Sequence, residues 1–112
     1  MNFWATWCPP CRAEMASLNR LYWDYEARGL GVFAVSVDED ANLVREFVRQ
    51  TQLDFTILLD PGGRVTAPGF GVGAFPTSFL INRQGRVSEV WIGERNWDSG
   101  DIRTSIDQQI KS

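Results

Sequence analysis

The sequence predicts an α/β fold, a central mixed β-sheet flanked by helices on both faces. Three observations lead there. Short apolar, β-branched runs such as "VFAVSV" (32–37) alternate with segments whose apolar residues recur at helical spacing. The last two strand-like runs, "TSFLI" and "RVSEVWI", are joined by "NRQG", which is too short for a crossover and reads as a hairpin turn. Finally, 112 residues that are 44% hydrophobic suit one core, so residues 1–112 are expected to form a single domain.

Each element has its own warrant. Met1 to Ala5 reads as the tail of a buried strand, one whose first part is truncated. A helix is predicted from Pro9, because proline suits the first helical turn, where its missing N–H costs nothing. Met15, Leu18, Leu21, Tyr22 and Tyr25 carry the helical period, and Gly29 closes the segment. Val32 to Val37 is a buried strand. Asp38-Glu39-Asp40 then supplies an N-terminal cap for a second helix with Leu43, Val44, Phe47 and Val48 on one face. Phe55 to Leu59 is a strand or extended piece stopped by Asp60-Pro61-Gly62-Gly63. Gly69, Gly71 and Gly73 predict an irregular stretch before the hairpin. The last helix starts near Asp101, with Ile102, Ile106 and Ile110 on one stripe.

Composition removes several functions. The chain has no histidine, which excludes Ser-His-Asp and Cys-His nucleophiles and any His-ligated metal. A net charge of −3 without a basic stripe argues against nucleic acid as a partner. There is no apolar run of membrane-spanning length in this chain. Only two cysteines are present, and both lie in "NFWATWCPPCRAEM" (2–15).

Cys8 and Cys11 stand between the first strand and the first helix. A Cys-x-x-Cys in that setting reads as a redox motif, since sulfurs at i and i+3 on a first helical turn can bond without distorting the backbone. Cys8 at the helix cap is expected to be the attacking thiolate, favoured there by the macrodipole, and Cys11 the shielded resolving thiol. A structural cysteine pair or a site for a soft ion such as copper(I) stays open on spacing alone. Pro9 and Pro10 remove two N–H groups that could stabilise the thiolate, so a higher Cys8 pKa and a reducing poise are expected. Trp7 is expected to shield the sulfur and offer an apolar docking surface. Trp4 is assigned to the core, Trp23, Trp91 and Trp97 to packing or exposure, and Arg12 to a solvated helix position.

The segment "NFWATWCPPCRAEM" resembles the active-site segment of the thioredoxin superfamily, in particular its TlpA/ResA-like extracytoplasmic thiol-disulfide oxidoreductases. "GVFAVSVDED" and "LLDPGGRVTAPGFGVGAFPTSFLINRQGRV" resemble further parts of that branch, so the similarity extends over nearly the whole chain. It implies a thioredoxin fold, disulfide exchange through a Cys8–Cys11 redox pair, and no dissociable cofactor. It also implies that Pro76, in "FPT", is the cis-proline facing the disulfide. Phe75 and Pro76 would then hold an extended substrate strand together with Trp7, Pro9 and Pro10. Glu14 matches a glutamate implicated in proton handling around the cysteines; a desolvated carboxylate there could take the Cys11 proton. On spacing alone Glu14 reads as a solvent-facing residue of an early helical turn; Asn2 stands where thioredoxin has a buried aspartate, which leaves Glu14 as the remaining nearby candidate for the base. Ala16 replaces a proline that often kinks this helix, so the helix is expected to run straighter.

The resulting expectation is a monomeric reductase of protein disulfides in the bacterial periplasm, supplied with electrons by a membrane thiol-disulfide donor. Apocytochrome c is a conceivable client by that resemblance. A copper(I)-handling thiol protein and a peroxiredoxin-like peroxidase are the alternatives.

Overall fold

The chain lays down β1 (Asn2–Trp4), α1 (Pro9–Tyr25), β2 (Phe33–Ser36), α2 (Ala41–Thr51), β3 (Thr56–Leu59), α3 (Thr66–Phe70), β4 (Thr77–Ile81), β5 (Val87–Ile92) and α4 (Gly100–Lys111). These come from a computed structural model that describes residues 1–111. Among the described residues the strands form one mixed sheet of order β3-β2-β1-β4-β5. β1, β2 and β3 are parallel, while β4 pairs antiparallel with both β1 and β5.

Local chemistry accounts for the boundaries. Pro9 and Pro10 open α1, and Gly29 ends the segment in a left-handed conformation, φ 97°. Helix α1 runs unbroken through Ala16. Asp40 caps α2 by accepting from the Asn42 backbone N–H at 2.9 Å. In the β4–β5 turn, Asn82 Oδ1 accepts from the backbone N–H groups of Gln84 and Arg86, both at 3.0 Å. The glycine-rich stretch is more ordered than its composition suggested. The Asp60 carboxylate accepts from the Val65 and Thr66 backbone N–H groups and the Thr66 hydroxyl, and this organises the short α3. Those bonds, led by the one from the Thr66 side chain, hold the Asp60 carboxyl below its ordinary range.

Helices lie on both faces of the sheet, but unequally. Trp4, Ala34 and Leu80 share a core with Met15, Leu18, Val44, Ile102 and Ile106, so α1, α2 and α4 all cover one face. The opposite face carries Phe3, Val35 and Phe79, covered by Phe70 of α3 and Val72 just beyond it. Strand order explains this. From β1 to β2 to β3 the chain moves one way across the sheet, and right-handed crossovers then place α1 and α2 on the same side.

Trp4 anchors the larger core. It is fully buried, with its ring 5.4 Å from that of Phe47. Trp4→Ala is expected to cost about 3–5 kcal/mol of stability. A urea titration followed by far-UV circular dichroism should show the midpoint falling accordingly.

Candidate active site

Cys8 occupies the cap position of α1 with extended backbone, φ −103° and ψ 105°. It is joined to Cys11 by a disulfide, with the two Cα atoms 5.3 Å apart. Cys8 is 5% exposed and Cys11 fully buried, so Cys8 is the sulfur nearer to solvent. Because Pro9 and Pro10 have no N–H, Cys11 supplies the first amide donor of the helix. The Arg12 amide is already committed to the Cys8 carbonyl at 3.1 Å.

The loop before β4 faces this pair. The Phe75–Pro76 peptide bond is cis, and Pro76 is buried. Cys8 Sγ lies 3.6 Å from the Phe75 carbonyl oxygen. In the disulfide that sulfur has no hydrogen to donate, so the approach is a contact that a thiol would turn into a hydrogen bond. Trp7, 61% exposed, sets its ring edge-on to Phe75 at 6.1 Å. Together with the exposed Pro9 and Pro10 this makes an apolar rim around the sulfurs. The residues singled out in the sequence thus come together at one end of the sheet.

Glu14 sits one turn beyond Cys11 and is only 1% exposed. Its Oε1 accepts from Asn2 Nδ2 at 2.9 Å, and its Oε2 accepts from the Arg95 backbone N–H at 2.9 Å. Burial pushes the carboxyl up from the ordinary 4.5, and the bonds from the Arg95 amide and Asn2 hold it partly down. The nearby Glu94 charge raises it further. A straight α1 therefore does not bring Glu14 to the surface. The β5–α4 loop folds over it, held there by the Trp97 amide donating to Ser17 Oγ at 3.0 Å.

Several contributing residues were not legible in the sequence as site residues. Asp38, grouped above with a helix cap, is 4% exposed. It accepts from the backbone N–H and hydroxyl of Thr6 and from the Ser36 hydroxyl, fixing the loop that leads into Trp7 and Cys8. Glu39, its neighbour, pairs instead with Arg64. Arg12 is exposed, as expected, yet donates to the Thr6 carbonyl at 2.6 Å and clamps the same loop. Trp97 is buried edge-to-face against Trp91. Trp23 is 57% exposed, its indole N–H donating to Asp54. No local pattern marks Asp38 or Trp97 as site residues, because the contacts that tie them to the site, Thr6 for Asp38 and Ser17 for Trp97, lie 32 and 80 residues away in the chain.

Compared with known protein families, residues 1–110 match Redoxin. The chain belongs to the Redoxin family. This Redoxin chain is 43% identical over 95 residues to the thiol-disulfide oxidoreductase ResA of Bacillus thuringiensis strain Al Hakam, covering 85% of this chain and 54% of that protein. It thus spans about half the length of the curated relatives it matches. Among solved structures, it resembles one from Chlorobium tepidum, provisionally named a thiol:disulfide interchange protein DsbE. The TM-score is 0.89 at 36% identity, covering 97% of this chain and 77% of the other. StoA from Bacillus subtilis is similar with a TM-score of 0.76 at 27% identity, over 87% of this chain and 74% of that one. The Redoxin chain has the thioredoxin fold, as these structural likenesses and its five-stranded mixed sheet show.

Proposed function

We propose that this domain is a thiol-disulfide oxidoreductase that reduces protein disulfides. The observation that carries the proposal is the Cys8–Cys11 disulfide at the mouth of α1, with Cys8 Sγ against the Phe75 carbonyl of the cis-proline loop. The reduced pair would act in two steps. Cys8 thiolate attacks one sulfur of a substrate disulfide, forming a mixed disulfide and releasing the other sulfur as thiolate. Cys11 then loses its proton to Glu14 and attacks Cys8, closing the Cys8–Cys11 bond and releasing the second substrate thiolate. Two electrons pass to the substrate, and the protein is left as the disulfide seen here.

The surroundings support this division of labour. The rim of Trp7, Pro9, Pro10 and Phe75, with Pro76 next to it, gives a peptide chain an apolar seat beside the sulfurs. The two prolines leave Cys8 few amide donors to hold it as a thiolate, which favours a reducing poise. Names carried by the relatives point to the same chemistry in those proteins. We further propose that it works outside the cytoplasm, with a membrane thiol-disulfide carrier as electron donor, a reading supported by its likeness to those proteins. Apocytochrome c, whose haem-attachment cysteines must be reduced, is the client we propose to test first.

Insulin reduction by dithiothreitol, followed as turbidity, tests the activity. The domain should shorten the lag in proportion to its concentration. An unchanged lag at equimolar protein would overturn the assignment.

A further inference from the structure

Asn2 is only 2% exposed and stands at the centre of a buried polar cluster. Its Nδ2 donates to Glu14 Oε1 at 2.9 Å and to Ser78 Oγ at 2.8 Å. Asn2 and Ser78 are direct partners in the β1–β4 pairing, so their side chains stand together on one sheet face. Ser78 lies two residues after Pro76. One amide therefore ties the helix of the cysteines to the strand that leaves the cis-proline loop. Its own Oδ1 is buried and accepts no hydrogen bond.

That idle oxygen has a chemical counterpart. A carboxylate can only accept, whereas a carboxylic acid also donates, and a hydroxyl does either. While Glu14 is charged, Asn2 must offer N–H groups to it. Once Glu14 holds a proton on Oε1, a half-turn of the Asn2 amide about Cβ–Cγ would bring Oδ1 to face both partners. Its two lone pairs would then accept from the Glu14 O–H and the Ser78 O–H.

We propose that Asn2 is a positioning residue for Glu14 that serves both protonation states of the carboxyl by turning its amide. The inference deepens the reading in which Glu14 exchanges a proton with Cys11. In that exchange the proton moves from Cys11 Sγ to Glu14, the sulfur electron pair forms the disulfide bond, and Asn2 only changes which atom it presents. The groups acting on Glu14 are Asn2 from β1, Glu94 and the Arg95 amide from the β5–α4 loop, and the Trp97 indole; Ser78 of β4 joins through Asn2, and Cys11 stands one turn earlier on α1. Arg95 contributes its backbone N–H, while its guanidinium donates to the Glu94 carbonyl. A bond from an amide to a charged carboxylate is stronger than one to the neutral acid. Asn2 thus favours the charged form and opposes the effect of burial.

The test is a pH titration by nuclear magnetic resonance, following the Glu14 carboxyl carbon and the Asn2 side-chain amide in the same reduced, unsubstituted protein. Both Nδ2 proton resonances should move together as pH falls, with the midpoint of the Glu14 carbon. In Asn2→Leu that midpoint should rise by about one pH unit. The pH profile of the resolving step should move with it, which simple loss of stability would not cause. Asn2 resonances that stay flat through the Glu14 titration would overturn the proposal. So would an unmoved midpoint in folded Asn2→Leu; if that variant does not fold, the unsubstituted protein decides. The resonances report without turnover, so failure here is distinct from failure of the reductase assay.

Discussion

Cys11→Ala should convert the domain from a catalyst into a trap. With no resolving thiol, the mixed disulfide formed by Cys8 cannot be released from within, and adducts with a disulfide-bearing protein should approach one per chain. Cys8→Ala should form no such adduct, because the remaining sulfur is fully buried. Insulin reduction should fall to the uncatalysed rate in both. The adducts are read as non-reducing gel bands or by intact mass. No adduct through Cys8 in folded Cys11→Ala protein would remove the basis of the mechanism. The contrast follows from a small difference in position: both sulfurs belong to one turn, yet Cys8 borders the Phe75 loop with some exposure and Cys11 is fully buried.

Glu14→Gln should slow the resolving step on the order of 100-fold at neutral pH and leave the attack by Cys8 nearly unchanged. A single-turnover reaction with an aromatic disulfide separates the two, since each step releases one coloured thiolate. Equal slowing of both phases would assign Glu14 a structural role only. The substitution is sterically mild. A glutamine oxygen can still accept from the Arg95 amide, while a turned Asn2 presents Oδ1 to the glutamine N–H.

The same residue sets a pH dependence of stability. The folded-state pKa of Glu14 lies above its ordinary 4.5, so between those two values the folded protein binds more protons than the unfolded chain. The Glu14 contribution is therefore most favourable below 4.5 and declines as pH rises through the folded-state pKa. Thermal melts of the oxidised protein should show this decline, and Glu14→Gln should lack that part of it. A decline of equal size in the variant would place its origin elsewhere.

The asymmetry of the sheet shows where sequence reading reached its limit. Strand and helix periods identified the main elements, and "NRQG" identified the hairpin. The stretch around Gly69 and Gly71 was expected to be irregular because glycine weakens local propensity. It forms α3 because the Asp60 carboxylate, five and six residues back, captures the Val65 and Thr66 amides. Which face each helix covers was not legible either, since it depends on strand order.

The sulfur pair, its place at a helix start and the prolines between the thiols were determined by the sequence alone, because each depends on neighbours within one helical turn. The depth of Glu14 and its partners was decided only by tertiary structure. Asn2 and the Arg95 amide reach it across 12 and 81 residues of chain, and Ser78 meets Asn2 across 76. Side-chain spacing carries no record of such encounters. They exist because the sheet sets β1 beside β4 and the loop before α4 folds back over α1.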